Sequence, residues 1–265
     1  MLKLPKPAWQ VLNLVFLLIT LVANGLANGG LVAGKTVGSV SDTYETLFAP
    51  AGITFAIWGV IYLLLIGFAI YQARDLFRYQ KVDDPWLEDI GPWFALSCVF
   101  NVAWLFAWLN EMLGLSLLLM LGLVGSLVII YLGLHIGKQE VSPRVRYLVH
   151  LPFSVYLGWV NVALVANIAA LLVQEGWAGG GLGELPWTIF AVVAAGVVGV
   201  FVTGSRNDIA FGAVIIWALL GIIIKQSQVG GDAAFPIQLA AGVGIGMVLI
   251  TGVLTSIRQP RPGYV

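Results

Sequence analysis

The chain has 265 residues, 60% of them hydrophobic and only 10% charged, with a formal net charge of zero and a mean hydropathy of +0.96. A soluble domain carries about 25% charged residues, so this composition excludes an ordinary water-soluble fold, and a balanced charge offers nothing to a nucleic-acid partner. The expected setting is the lipid bilayer, with membrane lipid as the first partner.

Eight apolar runs follow one another, at roughly residues 9–31, 50–71, 90–109, 113–135, 147–173, 187–204, 209–224 and 236–257. A helix needs about 20 apolar residues to cross the hydrocarbon core. These runs lack the alternation of barrel strands, so the expected fold is all-α, a polytopic membrane helix bundle. With eight spans, both termini and the even loops share one side, which holds Lys3, Lys6, Arg74, Arg78, Lys81, Lys138, Arg144, Arg146, Arg206, Arg258 and Arg261; only Lys35 and Lys225 fall opposite. Basic residues concentrate on the cytoplasmic face, and both termini are therefore expected there. Lys3 and Lys6 ahead of the first run resemble the opening of a signal peptide, but the run is long for one, and an uncleaved first helix is expected.

In chain order, the first run leads to an outer loop, 32–49, whose Gly34, Gly38, Ser39 and Ser41 predict flexibility. The second opens on "PAGITFAIWGVIY", where Phe55, Trp58 and Tyr62 share one helical face behind a proline suited to a helix start. The inner loop after it, "QARDLFRYQKVDDPWLEDIGPW", has mixed charges and reads as solvated. In the third run Asn101, Trp104 and Trp108 share a face, and an amide in hydrocarbon needs a hydrogen-bond partner; helix-to-helix glue, worth about 0.6 kcal/mol, is the plain alternative. In the fifth run Tyr156, Trp159, Ala163 and Asn167 fall on one broad face while Asn161 points elsewhere, and the alanine one turn after the indole leaves a hollow beside the ring. The glycine-rich "QEGWAGGGLGELPW" after that run predicts a boundary between a five-helix unit, 1–175, and a three-helix unit, 176–265.

Of the ten tryptophans, Trp9, Trp86, Trp93, Trp177 and Trp187 lie near span ends, as an aromatic belt would place them. Trp58, Trp104, Trp108, Trp159 and Trp217 lie within spans. The polar-aromatic faces of runs two, three and five overlap in depth, in the outer half, beneath the first loop. That arrangement suits a flat, mostly apolar ligand held by ring stacking and a few hydrogen bonds. The spacings Gly25/Gly29, Gly30/Gly34 and Gly242/Gly246 are expected to serve close helix packing within the chain, with an oligomer seam as the alternative.

"PAGITFAIWGVIY", "NVAW" in the third run and "YLGWVNVALVAN" in the fifth resemble the translocator protein family, also called the tryptophan-rich sensory proteins (TspO/MBR), over about residues 9–173. The resemblance implies a five-helix bundle with a pocket under the first loop that binds porphyrins, haem-like tetrapyrroles or, in some members, sterols. It places Trp58, Asn101, Trp159 and Ala163 in that pocket; Phe55, Tyr62, Trp104, Tyr156 and Asn167 join them from the helical faces. The chain departs from the family at Leu171, where a tryptophan is usual, at Pro152, where the proline is displaced, and in having about three extra transmembrane helices.

The function implied is a membrane sensor or carrier binding a tetrapyrrole or a sterol-like ligand. Its alternatives are a structural or assembly subunit of a larger membrane complex, a homodimer included, and a small-molecule transporter. No obligatory cofactor is called for, beyond a bound porphyrin, haem or related pigment. No catalytic or metal-ligating set stands out, although porphyrin degradation has been proposed for some members of the family. His135 and His150 read as interfacial, Arg206 and Asp208 as solvated helix-end contacts, and Cys98 has no partner for a disulfide.

Overall fold

The computed structural model describes residues 4–177 and 179–258; Lys3, Arg261 and the side chain of Arg258 lie outside the described residues. Eight long helices run through it: α1 Lys6–Asn28, α2 Ile57–Gln72, α3 Trp93–Leu109, α4 Leu113–Gly133, α5 Leu151–Gln174, α6 Glu184–Arg206, α7 Ile209–Val229 and α8 Ala234–Arg258. No strand occurs among the described residues. Seven helices are long and apolar enough to cross a membrane, α2 together with the 3-10 turn Gly52–Ala56 before it and α5 with its lead-in from Pro143. The eighth, α3, has 17 residues, about 25 Å at 1.5 Å per residue.

Local sequence explains where the helices begin and end. Residues 86–90 form a separate short helix, because Gly91 turns at φ 47° and Pro92 follows, so α3 restarts at Trp93 rather than at 90. Ahead of α5, Ser142 caps Pro143–Val145 and a π-turn spans Arg146–His150. Pro152 lacks an N–H for the carbonyl four residues back, and the wider turn takes up that break. Asn207 in the left-handed region ends α6, and Asp208 starts α7 by accepting from the Phe211 amide at 3.1 Å.

The first five helices close a ring: α1 packs on α2 and α3, α3 on α4, α4 on α5, and α5 on α2. Helices α6, α7 and α8 pack on one another, and α7 joins them to the ring by lying on α5 and on the 3-10 turn that opens α2. The close approaches of α6–α8 use glycines outside the expected pairs. A Cβ on Gly196 would stand 3.2 Å from the Cα of Gly244, and one on Gly199 3.0 Å from Ile215 and Val248, whereas Gly25, Gly30, Gly34, Gly242 and Gly246 have nothing within 4 Å of such a Cβ. The expectation of packing at those five positions is corrected accordingly: their Cα faces point to open space.

Two segments expected to be loose are built. In the outer loop, Val37–Thr43 is a helix whose N-cap Thr36 and Ser39 form a reciprocal capping box. On the terminus side, Asp75 is 0% exposed and accepts from Lys6 at 2.7 Å and from Gln10 at 2.6 Å, while Asp84 bridges Lys6 at 2.9 Å and Arg74 at 2.7 Å. Burial raises the pKa of Asp75, but the bonds from Lys6, the Val82 amide and Gln10 outweigh it and hold the carboxyl well below the usual carboxylate range. Within the 73–84 stretch Asp75, Asp84 and Arg74 are thus paired internally, while residues 77–83, with Arg78, Lys81 and Asp83, are exposed as a solvated loop should be.

Candidate functional site

Where α2, α3 and α5 meet, six rings form one cluster centred on Trp58. Its indole stacks on Tyr62 at 5.7 Å and on Trp104 at 5.9 Å, and meets Tyr156 at 6.0 Å and Trp159 at 6.4 Å edge-on. Phe55, carried by the 3-10 turn, meets Trp159 edge-on at 5.9 Å. Pairs of this kind contribute about 0.5–1.5 kcal/mol each beyond burial. The 3-10 turn matters here: it delivers Phe55 from outside α2 proper, so the ring reaches Trp159 on α5 while Trp58 and Tyr62 line the helix below. Trp159 is 1% exposed, and the rings fill the space between the helices.

A polar chain runs along one side of the cluster. Asn24 on α1 donates to Asn101 Oδ1 at 2.9 Å, and Asn101 Nδ2 donates to the Tyr156 hydroxyl at 2.9 Å. Both asparagines and the tyrosine are buried, so each bond spares an amide from bare hydrocarbon. Beside this chain, the Tyr62 hydroxyl and the indole N–H groups of Trp104 and Trp159 are buried with no hydrogen-bond partner. Most buried polar groups in proteins are paired, so three unpaired ones gathered at a single aromatic cluster set this region apart.

The structure therefore gathers Phe55, Trp58, Tyr62, Asn101, Trp104, Tyr156 and Trp159 into one place. Ala163 is half-buried against the core one turn further along α5. Asn167 faces α4 instead, exchanging hydrogen bonds with Ser116 at 3.0 and 3.1 Å. Trp108 is buried and donates its indole N–H to the Val37 carbonyl at 3.1 Å, tying the outer loop to α3. Further along that loop, Tyr44 and Lys35 both hold Glu111, and Gln174 donates to the Tyr44 hydroxyl at 3.1 Å.

Three buried polar or aromatic residues near the cluster or the helix junctions escape the motifs. Asn24 completes the polar chain; the signal for it is the spacing of Gln10, Asn13, Thr20 and Asn24, all buried on one face of α1. Trp9, expected in the belt, is also buried on α1. Asp208, expected to be solvated, is 6% exposed and accepts from Tyr131 of α4 at 2.8 Å and from Ser154 of α5, besides capping α7. A turn between two helices looks exposed in sequence, but here α4 and α5 pack over it. Neighbouring Arg206 lies over the Tyr131 ring at 5.2 Å.

Among the described residues no group of three or more histidine, cysteine, aspartate or glutamate side chains is placed to hold a metal ion. Neither the curated proteins nor the solved structures contain a match to the chain. A family model described as TSPO-like protein does match, over residues 10–254, running past the motifs of 9–173 to take in α6, α7 and α8. The aromatic cluster, the helix ring and this near-complete match agree: the chain is a multi-pass membrane protein that belongs to the TSPO-like family.

Proposed function

We propose that the aromatic cluster binds a flat, largely apolar ligand of the tetrapyrrole class, a porphyrin or haem-like pigment, and that the protein acts as a membrane sensor or carrier for it. The observation that carries this reading is the coincidence of stacked rings with unpaired buried donors: Trp58, Trp104 and Trp159 offer faces, and the Tyr62 hydroxyl and two indole N–H groups offer hydrogen bonds to a polar rim. Trp58 and Trp104 stack on each other, so a ligand enters by parting the rings, and the outer loop must yield first. Asn101, oriented between Asn24 and Tyr156, supplies the fixed polar wall.

Trp159→Ala tests this reading against Trp93→Ala, a change at the far end of α3 outside the ring cluster. Loss of one stacking partner is expected to weaken protoporphyrin IX binding by on the order of 1 kcal/mol, about fivefold in Kd, while Trp93→Ala leaves it unchanged. Fluorescence-quenching titration of both folded variants decides the matter. Equal affinities remove Trp159 from the site, and a protein that binds no porphyrin in any form favours an assembly subunit.

For orientation, the basic residues cluster at the terminus end, and we propose that this end is cytoplasmic. A thiol introduced at Ser39 in a Cys98→Ser background is expected to react with an impermeant maleimide added outside intact cells. Labelling only after the membrane is opened would reverse the orientation.

A further inference from the structure

Helices α6–α8 reach the candidate site in two places: α7 packs on α5 beside Gly158, and α6 and α7 meet the segment from Asp42 to Thr54, which runs from the outer loop into the 3-10 turn. Five hydrogen bonds or ion pairs converge on that segment. The Leu47 amide donates to Glu184 of α6 at 2.7 Å, and the Leu47 carbonyl accepts from Gln226 of α7 at 2.8 Å. Lys225 of α7 pairs with Asp42 at 3.2 Å. The Ala51 amide donates to the Gly221 carbonyl at 3.0 Å, and the Thr54 carbonyl accepts from the Trp217 indole at 2.9 Å. The next residue after Thr54 is Phe55, whose ring rests on Trp159.

The placement is not that of a generic helix contact. A helix normally keeps its carbonyls for itself, yet Gly221 lends one to the loop, which requires the two backbones to approach closely. Glycine permits it: a Cβ at 221 would lie 2.7 Å from Cγ2 and 2.9 Å from Cβ of Thr54, and nearer still to its hydroxyl. The ties of Leu47, Ala51 and Thr54 are to their own backbone atoms, which fixes the path of the chain rather than the rotamer of a side chain. Lys35, Val37 and Tyr44 are held from the ring side, through Glu111, Trp108 and Gln174. From Leu47 to Thr54, the stretch that leads into Phe55 and Trp58, the backbone ties are to α6 and α7.

We propose that the carboxyl-terminal three-helix unit is a latch on the outer loop: α7, aided by Glu184, holds the segment from Asp42 to Thr54 closed over the aromatic cluster and so sets how fast a ligand enters and leaves. This rests on the reading of the cluster as a binding site. The latch acts on the closed state with ligand present or absent, so loosening it speeds both association and dissociation and changes Kd little. That signature separates it from a change in the site itself, which acts mainly on dissociation.

The test uses the full chain in lipid nanodiscs. The double variant Trp217→Phe with Gln226→Leu removes two donors to the loop while keeping side-chain bulk. Losing two such hydrogen bonds is expected to raise loop opening roughly tenfold. Amide hydrogen exchange at residues 42–54 reads this directly and needs no ligand. In the same variant, association and dissociation of protoporphyrin IX are each expected to quicken by a similar factor. Alkylation of a thiol introduced by Asn101→Cys, with Cys98→Ser removing the native one, reads access to the site without porphyrin and should speed up in parallel. Conversely, a short bis-maleimide joining Asp42→Cys to Lys225→Cys should slow both. Unchanged exchange at 42–54 shows that α7 does not hold the loop and overturns the proposal. Faster exchange with unchanged alkylation shows that the loop does not gate the cluster and overturns it equally. Failure of porphyrin to bind any form counts against the tetrapyrrole reading alone, since exchange and alkylation still decide the latch.

Discussion

Asp208→Leu is expected to destabilise the protein by about 3 kcal/mol or more, because it strands three donors at once. The Tyr131 hydroxyl, the Ser154 hydroxyl and the Phe211 amide all point at this carboxylate. A buried donor left without its acceptor costs about 1–3 kcal/mol, and loss of an N-cap costs about 1 kcal/mol. Asp208→Asn keeps an acceptor for the cap at Oδ1 and puts an NH2 where the two hydroxyls can turn to accept from it, so it should fall well short of the leucine variant. Thermal unfolding of the detergent-solubilised protein, followed by circular dichroism, measures both. If leucine and asparagine are equally well tolerated, Asp208 does not join α4, α5 and α7 in the way its contacts indicate.

The second large effect is expected at Gly221. A methyl group there runs into Thr54, so Gly221→Ala should push α7 off the 3-10 turn and destabilise by about 1–3 kcal/mol, the usual range for overpacking. Thr54→Ala alone should be nearly neutral, because the threonine hydroxyl is buried without a partner and its loss breaks no bond. Combined, the two changes should cost less than Gly221→Ala by itself, since removing the hydroxyl and methyl of Thr54 clears the two nearest obstacles. The double-mutant cycle gives the coupling energy. Strict additivity would mean that the two residues are not in contact.

Much of this molecule is legible before any coordinates. The apolar runs give the spans because hydrocarbon demands about 20 apolar residues per crossing whatever the helix touches. The Trp58, Tyr62 and Tyr156, Trp159 faces follow from helical periodicity, and their overlapping depth predicts that they meet; Phe55, delivered by the 3-10 turn, reaches Trp159 by a path that α-helical spacing does not give. Asn167 shows the limit: a broad helical face admits two neighbours, and only packing decides that α4 and its Ser116 take this amide. Short-range charge patterns are equally ambiguous. Asp75 and Asp208 sit in segments as polar as any loop, and nothing local reveals that Lys6, 69 residues away, or Tyr131, 77 away, will cover them. Glycine spacing failed for a related reason: thirty-two glycines supply many pairs, and the ones that matter, Gly196 with Gly244 and Gly221 with Thr54, lie on different helices.

The buried stripe on α1 bears on how the protein is made. Thr20 donates to the Phe16 carbonyl of its own helix, but Gln10, Asn13 and Asn24 take partners on segments synthesised later: Gln72 at the end of α2 for the first two, Asn101 on α3 for the last. Until those helices arrive, the side chains of Gln10 and Asn13 face lipid or water without their partners, a state that hydrocarbon penalises. The first span is thus a poor stop-and-settle segment on its own. Pairing with α2 and α3 removes that penalty, so α1 is expected to sit more stably in the bilayer together with them than alone.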